Sequence, residues 1–458
     1  MADGARSSEH YLVIARAPGA GAARAALLLL PGDAGWVLPR LESDERRSAD
    51  VAPLTREARA ALGVEVSVLG CLADEPAKDG APRQQVYAIE THGRGFRPPA
   101  GARWVEREEL SGLALARPGQ RPLLDAWLRA QQAPRPPEDG RDWVRTGWWD
   151  GVMTWVDAEL GRRGLGPVTE AEQVRVWEFS HVLRLRAGDV TLYFKALPAS
   201  GAKEPRLTSR LVAMHPDVVP ELIAVDLDRR WLLMRATPGP ELTDVGDPLC
   251  WEQAATSCAR IQLDWLSRED ELAAVGCPRV ALSWLSAQVA PLLADGVALG
   301  GLPAPAAARL RHRGPELERL CAELAEHAVP DSLEHGDLWA ANVILGPRGP
   351  VLIDWEDALL AHPFFSPSLL LLSLEHTDAL AGVPDARSRI REAYLGPWRE
   401  RGPLRGWPAG RLERAFEVAQ EVALLHYAVQ FWLGGPRIET SWEVRDFVSF
   451  FLERLIEG

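Results

Sequence analysis

Over the first 130 positions, apolar residues cluster in short runs at 11–14, 26–30, 64–69 and 85–89, each with the length and composition of a strand. Between them, 51–62 carries helical spacing, with Pro53 suited to a first turn and Gly63 to a C-terminal cap. The pattern breaks at 131–142, QQAPRPPEDGRD, where proline, glycine and charge replace periodicity and predict a stiff, exposed linker. Beyond it, Val152, Trp155, Val156 and Leu160 recur at helical spacing across 148–163. Strand-like segments then fill 173–234, interrupted by a helical stretch at 204–214. From about Pro248 the pattern is mostly helical, as in 414–433, apart from one hairpin. The expectation is an α+β chain with a first domain over 1–130, a linker over 131–147 and a second domain over 148–458. That second domain is β-rich over about 168–238 and helical over about 239–458.

A chain of 458 residues exceeds what one hydrophobic core serves, which agrees with more than one domain. Its longest apolar runs, 26–30 and 369–372, fall far short of the roughly 20 residues a membrane-spanning helix needs, so no membrane partner is expected. The start carries Asp3 and Glu9 and no basic-then-apolar leader, which predicts a cytoplasmic protein. Cys71, Cys250, Cys258, Cys277 and Cys321 are irregularly spaced and read as reduced thiols. A net charge of −13 argues against sequence-independent nucleic-acid binding, which needs many cations. Of 51 basic residues only three are lysines, Lys78, Lys195 and Lys203, so a lysine inside a strand calls for a reason.

The densest chemistry lies in 333–356, LEHGDLWAANVILGPRGPVLIDWE. Its second half reads as a hairpin with arms at 343–345 and 351–353. A centre at Arg348 would set Asn342 and Asp354 side by side at the open end, their Cβ atoms about 5 Å apart. An amide oxygen and a carboxylate, completed by phosphate oxygens and water, suit Mg²⁺. Asp337, five residues before Asn342, is placed to accept a hydrogen bond from a substrate hydroxyl. Taken singly, each of these acids could equally cap a helix or face solvent; the set together points to phosphoryl transfer.

HGDLWAAN followed by IDWE resembles the catalytic loop and metal motif of the aminoglycoside phosphotransferase and choline kinase family, small-molecule relatives of protein kinases. The resemblance implies a two-lobed protein-kinase-like fold, ATP and Mg²⁺ as cofactors, and a small-molecule hydroxyl as acceptor. It makes Asp337 the catalytic base, Asn342 and Asp354 the metal ligands, and His335 a structural member of the loop. Glu356 falls on the family's second acidic position as a bracing residue. Lys195, in VTLYFKAL, resembles the strand lysine that touches nucleotide phosphates, with Glu204 as its candidate partner. An edge-strand lysine is the alternative for Lys195, and the helix dipole already accounts for an acid at Glu204.

The glycine-rich loop of protein kinases is missing, so Ser180 and its neighbouring amides are the candidates for covering the phosphates. Arg235 and Ala236, in WLLMRATPGPEL, resemble the hinge that meets adenine. After the metal motif the family often carries another acid near its proline; here HPFFSPS has Ser366 and Ser368.

GWVLPR, TREARAALGV and ARWVEREEL, in that order, resemble a Nudix domain and imply an α/β/α sandwich. Arg56, Glu57 and Gly63 match its motif. The two glutamates expected next are Ala60 and Ala61, and the opening glycine and following glutamate fall on Glu42 and Ser48. A methyl group ligates no metal, so this domain is expected to lack hydrolase activity. The expectation is a small-molecule kinase; the alternatives are a catalytically silent regulatory protein that binds a nucleotide or metabolite, and a Nudix-type pyrophosphatase with a kinase-like appendage.

Overall fold

The computed structural model describes residues 8–16, 25–43, 49–77, 81–92, 96–133, 137–434 and 442–457. Ser48, Lys78 and the Glu42 side chain lie outside the described residues. The chain divides into two compact units, one formed by Met1–Ala202 with Ile223–Arg235, the other by Lys203–Leu222 with Ala236–Gly458.

The first unit begins with β1 (Ser8–Arg16), β2 (Ala26–Gly32), β3 (Gly35–Val37), β4 (Arg40–Ser43), α1 (Ala52–Leu62), β5 (Glu65–Glu75), β6 (Gln84–His92), β7 (Arg103–Val105), α2 (Arg107–Leu110) and α3 (Arg121–Gln132). The sheet runs β3-β2-β1-β6-β5, with β4 on β1 and β7 on β2; β1 and β6 are parallel. Strand alternation gives it two apolar faces. Tyr11, Val13 and Ala15 pack with Leu124, Trp127 and Leu128 of α3, while Leu12 and Ile14 pack with Leu54 and Ala58 of α1. Helix α1 starts with proline in its first turn and ends where Gly63, at φ 67°, returns its N–H to the Arg59 carbonyl.

The same unit continues with α4 (Trp148–Arg162), β8 (Glu170–Val176), β9 (His181–Ala187), β10 (Val190–Ala196), β11 (Leu222–Asp226) and β12 (Trp231–Arg235). The sheet order is β11-β12-β10-β9-β8. Helix α4 buries Trp148, Val152, Val156 and Leu160 against Leu183, Phe194 and Trp231, in the same core as Leu12 and Ile14.

The stretch expected to be an exposed linker is partly buried. Gln131 donates to the Val144 carbonyl (2.8 Å) and accepts from Thr146 N–H (3.0 Å), and Trp143 is 2% exposed. Proline and charge in 131–142 predicted loop backbone; the indole just beyond them supplies apolar area that the shared core absorbs.

The second unit holds α5 (Lys203–Met214), α6 (Pro248–Asp264), α7 (Glu269–Val275), α8 (Leu282–Ala294), α9 (Ala304–Glu326), α10 (Ser366–Leu372), α11 (Ala386–Glu400), α12 (Ala409–Gly434) and α13 (Trp442–Glu457). Two ribbons thread between them: β13 (Ser332–Glu334) with β16 (Leu359–Ala361), and β14 (Val343–Gly346) with β15 (Gly349–Leu352). Its core buries Trp251 of α6, Tyr394 and Trp398 of α11, Tyr427 of α12 and Phe364. A sheet-rich region followed by a helical one gives the mixed α+β character expected of a protein-kinase-like chain. Among the described residues no helix is long and apolar enough to cross a membrane.

Candidate active site

Strand β13 delivers the loop that holds Asp337, and His335 pins that loop down. The His335 backbone N–H donates to Ser366 Oγ (3.0 Å). Its ring lies 4.3 Å from that of Trp355. Nε2 is 3.1 Å from the Ile353 carbonyl, and Nδ1 is 3.3 Å from Asp337 N–H. Those partners require the neutral tautomer with the proton on Nε2. Burial pushes the imidazole down to about 4, which keeps it neutral at ordinary pH.

Gly336 lets the two motifs meet. Its φ is 83°, and a Cβ there would stand 2.2 Å from the Asp357 carbonyl oxygen. Only glycine combines that backbone conformation with so close an approach. Asn342 then closes the loop, its Nδ2 donating to Asp337 Oδ2 (2.7 Å) and to the Asp337 carbonyl (2.8 Å). The amide's acceptor, Oδ1, takes no part in either bond.

The hairpin is present, with a register that differs from the expected one. Val343 pairs with Leu352 and Gly346 with Gly349, so the partner of Asn342 is Ile353, whose N–H donates to the Asn342 carbonyl (3.0 Å). The turn is centred half a residue before Arg348, because the pairing closes on Pro347 and Arg348 together. Asp354 therefore leaves the ladder, and it adopts the left-handed conformation at φ 63°. Its carboxylate gathers with those of Glu356 and Glu204, one oxygen from each within 4.8 Å of the others. Glu204 is buried in the first turn of α5, Glu356 half-buried and Asp354 exposed. Three carboxylates are hard oxygen donors, the kind that suits Mg²⁺. Glu204 was expected as the partner of Lys195; its grouping with Asp354 and Glu356 was not foreseen.

Lys195 lies on β10, between β9 and β12, opposite Val182 and Leu232. The edge-strand alternative falls, because β10 is the central strand of its sheet. At 6% exposure the ammonium needs an anionic companion. Ser180 is buried rather than open, and its hydroxyl accepts from the Trp177 indole N–H (3.0 Å). The turn from β8 to β9 folds back on itself there, Trp177 N–H donating to the Ser180 carbonyl (3.1 Å). Arg235 ends β12 opposite Leu192, and the chain passes into the second unit at Ala236.

No family model matches the chain. Over 134 residues it is 31% identical to a protein of Klebsiella aerogenes described as "Probable ketoamine kinase"; the match takes in 28% of this chain and spans 38% of that relative's length. Among solved structures, a choline/ethanolamine kinase family protein from Mesorhizobium loti is 17% identical, with a TM-score of 0.47 over 67% of this chain and 93% of the other. A macrolide 2'-phosphotransferase from Brachybacterium faecium is 17% identical, with a TM-score of 0.44 over 66% of this chain and 98% of the other. The chain is similar to small-molecule kinases.

A further buried group, absent from the motifs read in the sequence, adjoins the loop. Glu334, the last residue of β13, is fully buried. Ser366 Oγ donates to its Oε1 (3.2 Å), Tyr427 OH stands 3.1 Å from the same oxygen, and His426 Nε2 is 3.8 Å from Oε2. Burial pushes the Glu334 carboxyl up, but His426 and the Gly336 amide outweigh it and leave the group below the ordinary value. The signal available in the sequence was an acid directly before the histidine of the motif.

Proposed function

We propose that the protein is an ATP- and Mg²⁺-dependent phosphotransferase acting on a hydroxyl of a small molecule, with Asp337 as the catalytic base. Two observations carry this reading: the bond from Asn342 Nδ2 to Asp337 Oδ2 (2.7 Å), and the gathering of the Asp354, Glu356 and Glu204 carboxylates into one group. Asn342 fixes the rotation of the Asp337 carboxylate through Oδ2, so that it can orient an acceptor hydroxyl and take its proton during in-line attack. Asp354 and Asn342, with Glu356 or Glu204, would hold magnesium, which when bound neutralises charge on the transferring phosphoryl group. His335 keeps the Asp337 amide in place. Lys195 serves the nucleotide phosphates in the same reading, and backbone groups at Arg235 and Ala236 serve adenine.

The front domain is read as a Nudix-like scaffold without hydrolase activity. Its α1 presents Ala60 and Ala61 where ligating glutamates would be needed, and Arg56 turns to Glu172 of β8 (3.4 Å). Leu54 and Ala58 of the same helix share a core with Leu183 and Phe194, which favours a packing role.

The test is ADP release from Mg-ATP with a panel of acceptors: ketoamines first, following the curated relative, then choline, ethanolamine, macrolides and aminoglycosides. Acceptor-dependent release is expected, falling by about 10²–10⁴-fold in Asp337→Asn. Release that persists undiminished in that variant would overturn the assigned base.

A further inference from the structure

We propose that Glu334, acting through Ser366, is a positioning residue for the Asp337 loop. The proposal rests on the kinase reading above, in which Asp337 does the chemistry.

The network begins at Gln262 of α6, which is 1% exposed. Its Oε1 accepts from Tyr394 OH (2.6 Å). Its two Nε2 protons go to the Pro363 carbonyl (2.8 Å) and to Ser366 Oγ (3.1 Å). Ser366 Oγ therefore accepts from Gln262, and it accepts again from the His335 backbone N–H (3.0 Å). A hydroxyl has one proton and two lone pairs. With both lone pairs used, the Ser366 proton points to Glu334 Oε1 (3.2 Å). An acceptor-only carboxylate is the partner that this arrangement demands.

Leaving so buried a carboxylate without partners would be costly, so its place is set by the groups that bond it. Glu334 is 0% exposed and Ser366 0% exposed, so water cannot substitute for either. The consequence reaches the chemistry through three successive bonds. Glu334 orients Ser366, Ser366 holds His335 N–H, and His335 Nδ1 holds the Asp337 amide (3.3 Å). A misplacement of about 1 Å at a reacting group can cost on the order of 10²-fold in rate. None of these bonds involves nucleotide-binding atoms, so the effect falls on turnover rather than on ATP affinity.

The experiment compares Ser366→Ala, Ser366→Thr, Glu334→Met, Glu334→Gln and the double variant Ser366→Ala/Glu334→Met, with wild type and Asp337→Asn as references. Ser366→Ala removes a single buried oxygen; circular dichroism and the thermal midpoint check that each protein is folded. Ser366→Ala and Glu334→Met are expected to lower kcat by about 10–100-fold with KM for ATP within about twofold. Ser366→Thr and Glu334→Gln, which keep the hydroxyl and the Oε1 acceptor, are expected to recover to within about threefold of wild type. The double variant is expected to be no slower than the worse single one.

A folded Ser366→Ala with wild-type kcat, a loss confined to KM, or single losses that multiply in the double variant would each overturn the positioning role. The kinase reading fails separately, by a wild type that releases no ADP with any acceptor or an Asp337→Asn that is fully active, and the positioning role falls with it.

Discussion

The Gln173 carboxamide closes both backbone groups of Val68 across 105 residues of sequence, its Oε1 accepting from Val68 N–H (2.6 Å) and its Nε2 donating to the Val68 carbonyl (2.9 Å). Val68 lies on β5, the end strand of its sheet, so the carboxamide satisfies groups that would otherwise be an open edge. Gln173 is 1% exposed, and its Nε2 is also 3.0 Å from His181 Nε2. Replacing it by leucine leaves a buried donor and acceptor without partners. Gln173→Leu is expected to destabilise the first unit by about 2–4 kcal/mol. Urea unfolding followed by tryptophan fluorescence measures this; an unchanged midpoint would show that the bonds contribute nothing net.

Gly336→Ala tests whether the meeting of the two motifs depends on this glycine. The added Cβ would stand 2.2 Å from the Asp357 carbonyl in a left-handed backbone, and relief of that clash separates the two motifs next to Asp337. Loss of acceptor-dependent ADP release by at least about 10²-fold is expected, with the far-ultraviolet dichroism retained. Activity within a fewfold of wild type would show that the loop tolerates displacement.

The carboxylate group predicts how metal dependence responds to mutation. Asp354→Asn is expected to raise the Mg²⁺ concentration for half-maximal activity by at least about tenfold, and Glu204→Gln by a smaller factor. Direct Mn²⁺ binding, followed by electron paramagnetic resonance, gives a readout that does not depend on turnover. Equal Mn²⁺ affinity in wild type and Asp354→Asn would remove Asp354 from the metal site.

Acid stability follows from three buried imidazoles. Burial pushes His181 down to about 3, His335 to about 4 and His362 to about 3, from an ordinary 6.5. Each is neutral in the folded state, while the unfolded chain takes up its proton below 6.5. The unfolded state thus binds more protons between pH 6.5 and 3–4, and stability falls as pH falls, by about 1.4 kcal/mol per pH unit for each proton. Glu90 works the other way: burial pushes it up to about 7 from 4.5, so the folded state holds the extra proton between those values. Within that window it offsets the contribution of His181. His362→Gln should make the stability slope below pH 6.5 shallower by about one proton. An unaltered slope would mean that the imidazole is protonated in the folded protein.

What could be read from the sequence was local. The cap at Gly63, the apolar stripe of α4, and the HGDLWAAN and IDWE segments all depend on neighbours within a few residues, where helical and strand periodicity and turn chemistry operate. They placed the elements and nominated Asp337, Asn342 and Asp354.

Tertiary structure decided the rest. The half-residue difference in the hairpin register took Asp354 out of the ladder, because the pairing closes on Pro347 and Arg348 together rather than on a centre at Arg348. Sheet order made Lys195 central rather than an edge residue, and a core shared across 131–147 buried Trp143 beside a stretch whose composition predicted exposure. Glu204 reached Asp354 and Glu356 from about 150 residues away, and Ser366 reached Glu334 from 32 away. Such partners are chosen by how whole helices and ribbons pack, since burial requires each polar group to find a companion wherever the fold brings one. Sequence spacing contains no term for that distance.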